Sequence, residues 1–208
     1  MTDKVKSLKR KIINIGKKLY DLRLVSACAG NLSSRLSKSD ILITATGTCL
    51  GNLQEKDIIK TPLNNNTNKR VSSEFPLHRQ IYNNFDYKVI IHCHPPLVNG
   101  YFSVFSELKM LTFESKFYLG DVPVVKQKSL TIEKPEYVIK ALKHNKLVVI
   151  KNHGVVCVGN NFADALYLIE VLEESVKVAA LARLFNKNKL DGLDKALKTS
   201  LVRKDTIS

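Results

Sequence analysis

A chain of 208 residues, 44% of them hydrophobic, is long and apolar enough for one folded domain, and none of its apolar runs approaches the roughly 20 residues that span a bilayer. Thirty-three Lys and Arg against nineteen Asp and Glu leave a formal charge of +14, but there is no tryptophan and only 7% of residues are aromatic. The basic clusters, at Lys4 to Lys11, at Lys17-Lys18 and in the C-terminal stretch, lack interleaved aromatics. This argues against a nucleic-acid partner and leaves two explanations of the charge, a small anionic ligand drawn in by the field or a general lysine-rich bias of composition.

In chain order, Val5, Leu8, Ile12, Ile15, Leu19 and Leu22 recur at spacings of three and four and predict an amphipathic first helix. Such a start is no signal-peptide core, so a cytoplasmic location is expected. Ala29 to Arg35 is a turn-rich entry into a strand. Ile41 to Thr44 forms a short strand ending at Ala45-Thr46-Gly47-Thr48, and Asp57 to Lys60 another. Asn64 to Asn68 is a turn or hairpin tip. Ser72-Ser73 caps a helix with Pro76 in its first turn, running to about Asn83. Val89-Ile90-Ile91 is a buried strand, and Pro95-Pro96 opens the next helix.

Further on, Val122 to Val125 is an edge-like strand and Pro135 to Lys143 a short helix. Leu147 to His153 is a strand that turns at Gly154 and continues to Gly159. Phe162, Ala165, Leu166, Ile169, Leu172, Val176 and Ala180 mark a long amphipathic helix. From about Asn186 the chain is polar and basic. These elements predict one α/β domain, residues 1–185, with a central and mostly antiparallel sheet flanked by helices, and a basic tail over 186–208. The links between strands are too short for a doubly wound parallel sheet.

His92 and His94 stand two residues apart at the end of a strand pattern, so their side chains share a face. His153 ends a second apolar run. Two strand ends that each deliver histidine suggest a three-histidine metal centre, and zinc suits imidazole ligands with a fourth position left open. Cys93 alternates with the histidines and should face away. None of the four cysteines, Cys28, Cys49, Cys93 and Cys157, forms a Cys-x-x-Cys pair, which fits free thiols in a reducing compartment. Asn31, Thr46, Gly47, Ser72 and Ser73 lie in turns at element ends, where backbone N–H groups, hydroxyls and an amide suit phosphate oxygens. Glu74 follows directly, and its carboxylate can move a proton if the loop faces the metal.

The runs Gly30-Asn31-Leu32-Ser33, Thr44-Ala45-Thr46-Gly47, Ser72-Ser73-Glu74 with Pro76-Leu77-His78, His92-Cys93-His94-Pro95 and Asn152-His153-Gly154, with a last helix bearing Ala165, Glu170 and Glu173, resemble the class II aldolase/adducin family from the first helix through Leu184. The resemblance implies a three-layer fold with an antiparallel sheet, and zinc on His92, His94 and His153, with other divalent transition metals as alternatives. It implies Glu74 as acid/base, also able to coordinate zinc before substrate arrives, and Asn31, Thr46, Gly47, Ser72 and Ser73 as phosphate ligands. It further implies a homotetramer with active sites between subunits. The implied reaction cleaves a phosphorylated ketose, such as L-fuculose 1-phosphate, to dihydroxyacetone phosphate and an aldehyde. Glutamate rather than aspartate at position 74 favours the aldolases over related epimerases.

Aldolases of the family take a tyrosine from the neighbouring subunit. Here the corresponding segment places Thr112 and Phe113 nearest, with Tyr118 further along. Glu114 instead suggests the branch that dehydrates methylthioribulose 1-phosphate. The non-enzymatic adducin branch typically loses the metal histidines, and this chain keeps all three. His78, one turn after Glu74, is expected to be structural or to support the site from behind.

Overall fold

The computed structural model describes residues 3–64, 68–127, 129, 132 and 134–202, with side chains described through residue 186. Helix α1 (Asp3–Asp21) leads into strands β1 (Asn31–Arg35), β2 (Asp40–Thr44) and β3 (Ile58–Pro62), followed by helix α2 (Phe75–Asn84) and strand β4 (Val89–Cys93). Helices α3 (Pro96–Val104) and α4 (Phe113–Leu119) precede strand β5 (Val124–Lys126) and helix α5 (Pro135–Leu142). Strands β6 (Leu147–Lys151) and β7 (Gly154–Gly159) form a hairpin that leads to helix α6 (Phe162–Val202). The strands make one seven-stranded sheet in the order β3-β2-β1-β4-β7-β6-β5. Every pairing is antiparallel except the edge pair β5–β6, so the expected sheet is present.

Alternation along the strands splits the core into two layers. Leu32, Leu42, Ile91, Cys93, Val149 and Val155 pack with Ile12 and Leu19 of α1, Phe102 of α3 and Leu172 of α6. Ile41, Ile43, Ile90, Val148 and Val156 pack on the opposite face with Leu77 and Ile81 of α2 and Val138 of α5. Such apolar burial is the main driving force for the assembly. Because His92 follows Ile90 by two residues, it belongs to the α2/α5 face, whereas Cys93 is buried among the α1/α3/α6 residues, away from it.

Several local expectations are corrected. Leu22 lies past the end of α1 and is 47% exposed, because the chain turns back through Arg23, with φ +61°, before reaching the sheet. The residue capping α2 is Glu74, not a serine, and its side chain makes no capping bond. The Ser72 hydroxyl instead accepts from the Glu74 N–H at 3.2 Å, which places a tight turn just ahead of the helix.

At the far end of the chain, helix α6 continues to Val202, past the point near residue 186 where the sequence turns polar and basic. The expected turn at Asn64 to Asn68 lies partly outside the described residues. No helix among the described residues is long and apolar enough to cross a membrane.

Candidate metal centre and anion site

The end of β4 and the β6–β7 turn deliver the three histidines to one point. His92 is the fourth residue of β4, is 1% exposed, and sits opposite Val156 of β7. His94 lies just past the end of β4 and is pinned there by its N–H donating to the Leu24 carbonyl at 3.0 Å. His153 lies in the Asn152-His153 connection rather than in a strand. Asn152 takes φ +62°, and the His153 N–H donates to Ile150 O at 3.0 Å. Asparagine tolerates that left-handed conformation better than most residues.

Two glycines let these segments close. A Cβ on Gly154 would stand 2.7 Å from the His94 ring, and one on Gly30, whose φ is +79°, would stand 2.7 Å from the His92 carbonyl. Both approaches need glycine.

The Nε2 atoms of His92 and His153 are 2.9 Å apart, and those of His92 and His94 are 3.1 Å apart. Candidate ligand atoms of all three lie within 4.8 Å of one another. The His92 Nδ1 faces the Val155 carbonyl at 3.0 Å, so a neutral ring carries its proton on Nδ1 and aims a bare Nε2 at the other two. A tetrahedral ion bound at ~2.05 Å to each nitrogen would space the nitrogens about 3.3 Å apart. Burial lowers all three pKa values: His92 well below the usual range, with the neighbouring rings adding to it; His94 to about 4, again helped by His153; and His153 in the same direction. Three neutral imidazoles converging at this spacing fit a divalent transition metal, because each offers a lone pair without first losing a proton.

The cavity in front of the triad measures about 400 Å³ and is lined by Asn31, Thr46, Gly47, Ser72, Ser73, Glu74 and the three histidines, together with Cys28, Ala29, Gly30, Ala45 and Thr48. The three histidines, the five residues expected to hold phosphate and Glu74 therefore border one space. Glu74 is 6% exposed, and its carboxyl is pushed up by burial, opposed in part by the Ile132 N–H that donates to Oε1 at 3.4 Å. Burial that favours the protonated carboxyl makes it better able to hold a proton and pass it on. The Thr46 N–H donates to Arg70 O and the Ser72 N–H to Thr44 O, which holds the two turns of the cradle side by side. Among the described lining residues there is no Lys or Arg.

Other residues stand apart. Glu114 is exposed on α4 and does not border the cavity of its own chain, nor do Thr112, Phe113 or Tyr118. Phe113 is 88% exposed, and Tyr118 lines a separate cavity of about 680 Å³ between α4 and α6. That larger space has no convergent set of metal-ligating side chains among the described residues, so we place the chemistry in the smaller one.

Of the supports behind the histidines, Glu173 is among the residues that carry the family resemblance, whereas Gln127 and Asn99 have no signature in the sequence. Gln127 places Nε2 3.3 Å from His153 Nδ1, and Asn99 donates to His153 O at 3.1 Å. Glu173 of α6 accepts from the N–H groups of Leu97 and Val98 at 3.1 and 3.0 Å, which ties down the helix that begins just after His94. These contacts join residues up to 76 positions apart, and nothing in local spacing announces them.

Residues 10–180 match the family described as Class II Aldolase and Adducin N-terminal domain. A protein of Methanocaldococcus jannaschii named L-fuculose phosphate aldolase is 35% identical over 184 residues, covering 86% of this chain and 99% of that one. A Pectobacterium atrosepticum protein named 3-oxo-tetronate 4-phosphate decarboxylase is 28% identical over 176 residues, covering 80% of this chain and 81% of that one. Among solved structures, the L-fuculose-1-phosphate aldolase of Thermus thermophilus superposes with a TM-score of 0.81 at 29% identity, covering 86% of this chain and 96% of that one.

Proposed function

We propose, from the premise that this chain belongs to the class II aldolase and adducin N-terminal domain family, that it is a zinc-dependent aldolase acting on a phosphorylated ketose. The substrate that best fits its relatives is L-fuculose 1-phosphate or a close analogue, giving dihydroxyacetone phosphate and an aldehyde. The observation that carries this reading is the meeting of three neutral imidazoles, one buried carboxyl and a set of uncharged anion donors around a single cavity.

His92, His94 and His153 would hold a divalent ion, which would supply Lewis-acid stabilisation of negative charge beside the ketose carbonyl. The chain's own groups do the rest. Asn31, Thr46, Gly47, Ser72 and Ser73 grip the phosphate and fix the register of the three-carbon fragment. Glu74 gives a proton to C3 of that fragment in cleavage and takes it back in synthesis, which its raised pKa suits. The proton of the C4 hydroxyl leaves toward a group that the described lining of this chain's cavity does not contain. A homotetramer that brings a neighbouring subunit to the cavity mouth would supply it, in line with the exposed aromatics of α4. The same reading expects a cytoplasmic enzyme of carbohydrate metabolism.

A second reading has one observation in its favour, the relatives named 3-oxo-tetronate 4-phosphate decarboxylase. Loss of carbon dioxide from a phosphorylated 3-oxo acid leaves the same kind of charge beside a carbonyl, so the same site would serve. Dehydration of methylthioribulose 1-phosphate would need Glu114, which does not border the cavity of its own chain and would have to reach that of a neighbouring subunit. A non-enzymatic adducin-like role gives no account of the histidine cluster.

The test incubates metal-loaded protein with dihydroxyacetone phosphate and a panel of short aldehydes, and in parallel with 3-oxo-tetronate 4-phosphate. Chelator-sensitive carbon–carbon bond formation supports the aldolase. Carbon dioxide release without it moves the assignment to the decarboxylase, and neither activity removes both.

A further inference from the structure

We infer that Tyr82, Ser33 and His78 form a buried hydrogen-bond relay that sets the polarity of the Asn31 side-chain amide, so that its NH2 group rather than its carbonyl faces the anion cavity. The inference deepens the reading of that cavity as a phosphate site and rests on it. All four residues are nearly or wholly shut off from solvent: Ser33 and His78 are 0% exposed, Tyr82 3% and Asn31 7%. His78 Nε2 lies 2.6 Å from Asn31 Oδ1, His78 Nδ1 lies 2.6 Å from Ser33 Oγ, and Ser33 Oγ lies 2.9 Å from the Tyr82 hydroxyl. Burial drives the His78 pKa down to about 3, so the ring is neutral and carries one proton on one of its two nitrogens.

Two arrangements of protons can run along this chain, and they differ at its far end. In the first, the Tyr82 O–H donates to Ser33, Ser33 donates to His78 Nδ1, and the His78 Nε2–H donates to the Asn31 carbonyl. Each proton then has an acceptor. In the second, the Asn31 NH2 donates to His78 Nε2, the Nδ1–H donates to Ser33, Ser33 donates to the Tyr82 oxygen, and the Tyr82 proton has no acceptor among the described residues. An unmade bond at a buried donor is costly, whereas a spare lone pair on a phenol oxygen is cheap. The first arrangement therefore prevails.

Its consequence appears about three side chains away from Tyr82. With Oδ1 engaged by His78, Asn31 presents Nδ2 to the cavity, as a donor to a phosphate oxygen. In the reverse polarity it would present a carbonyl oxygen and repel the anion. A site with no Lys or Arg in its described lining depends on the orientation of its neutral dipoles. Arg35 secures the end of the relay from outside: it sits over the Tyr82 ring at 4.7 Å and donates to the Phe85 carbonyl at 2.9 Å. In this scheme His78, Ser33 and Tyr82 are positioning residues that never touch substrate.

The decisive measurement is the tautomer of His78 in wild-type protein, read from two-bond 1H–15N correlations of 15N-histidine-labelled enzyme with the signal assigned by His78→Gln. A proton on Nε2 is expected, and a proton on Nδ1 overturns the relay. A second arm titrates inorganic phosphate into the metal-loaded protein. Phosphate should shift the Asn31 side-chain NH2 resonances, and absence of any shift also overturns the relay whatever the carbon substrate proves to be.

In the kinetic arm, His78→Leu should raise KM for dihydroxyacetone phosphate about tenfold, the loss of one charge-assisted hydrogen bond. Metal content, the KM for aldehyde and kcat should stay within a factor of a few. His78→Gln, which can still donate to Asn31 and accept from Ser33, should restore most of the difference. An unchanged KM in His78→Leu, or an equal loss in both variants, overturns the proposal. Wild-type protein with the expected tautomer and phosphate shift but no aldol activity would count against the aldolase reading alone.

Discussion

The two halves of the cavity are built differently. The histidine half hangs on the middle of the sheet: His92 within β4, His94 directly after that strand, and His153 in the hairpin of the neighbouring pair. Its three side chains lie close enough to touch, and the backbone around them has been cleared of side chains at Gly30 and Gly154. The cradle half is made of turns, after β2, before α2 and at the first residue of β1, and includes the exposed Ser73. One half concentrates its task in three groups, none of which can substitute for another. The other spreads its task over five or more neutral donors in a chain that carries +14 overall and yet puts no Lys or Arg in the described lining. The halves therefore differ in redundancy. A change on the histidine side should be felt in full, and a change on the cradle side should be diluted among neighbours.

The largest effect follows from removing a member of the triad. His153→Ala should hold no stoichiometric zinc by elemental analysis and lose about a thousandfold or more in turnover, matching the several kcal/mol that a metal supplies to charge stabilisation. A variant that kept both metal and rate would show that the histidine half is not the metal half. Next comes Glu74→Gln, which leaves both halves standing and removes the carboxyl proposed to carry the proton between them. Turnover should fall by about 10²-fold or more, with zinc content and phosphate affinity retained. A loss of zinc in this variant would assign the carboxylate to the histidine half.

Gly154→Ala probes the histidine half without touching a ligand. Its new Cβ would press on the Cys93 carbonyl as well as on the His94 ring, so the backbone that carries His94 must shift along with the ring. Zinc affinity in a competition titration should drop about 10–100-fold, the usual scale for disturbing what holds a ligand in place. The same substitution at Gly47 meets no neighbour within 4 Å, although its φ of +71° still disfavours a side chain, so any loss there should fall on phosphate rather than zinc.

How much of the molecule is readable in the chain depends on what each residue relies on. The i, i+2 spacing of His92 and His94 places them on one face because a strand fixes that geometry locally, and the alternation that turns Cys93 to the other core follows from the same rule. The seven-stranded, mostly antiparallel sheet is legible from short apolar runs joined by short links. By contrast, the cap of α2 is not, because Ser72 and Glu74 compete for the same turn and only the folded geometry decides between them. Leu22 fits the helical period and still falls outside α1, since the period does not register where the chain must turn toward the sheet. The supports at Gln127, Asn99 and Glu173 depend on contacts across the fold, which no window of sequence contains.

Acid titration separates the halves by a smaller margin. In metal-free protein, burial lowers the pKa of His78 to about 3 and of His94 to about 4, and lowers His92 and His153 as well. Unfolded, each titrates near about 6.5. Below that pH the unfolded chain binds protons that the folded one refuses, so stability is full above about 6.5 and falls as the pH drops toward 4. Glu74 and Glu173, both raised by burial, act in the opposite sense, but the lowered histidines outnumber them. The melting temperature of chelator-stripped protein should therefore decline steadily from about pH 7 to about pH 5, and zinc-loaded protein should hold its value over the upper part of that range. A flat profile for the stripped protein would mean that the histidine cluster opens to water without metal.

The smallest effect tests the redundancy directly. Ser73 is exposed at the mouth of the cradle, ahead of the helix that Glu74 caps. Ser73→Ala removes one neutral donor and leaves the Thr46-Gly47 turn, Ser72 and Asn31 in place. Because Ser73 is exposed and water can replace its hydrogen bond to the anion, the loss should be only about 1 kcal/mol, so KM for the phosphorylated substrate should rise by about fivefold with kcat unchanged. Pairing it with Ser72→Ala is more informative. Ser72 also holds the turn through its bond to the Glu74 N–H, so its loss should lower kcat as well by moving the carboxyl proposed as acid/base. If Ser73→Ala cost as much as the loss of a histidine, the anion would depend on one donor, and the contrast between a concentrated half and a distributed half would fail.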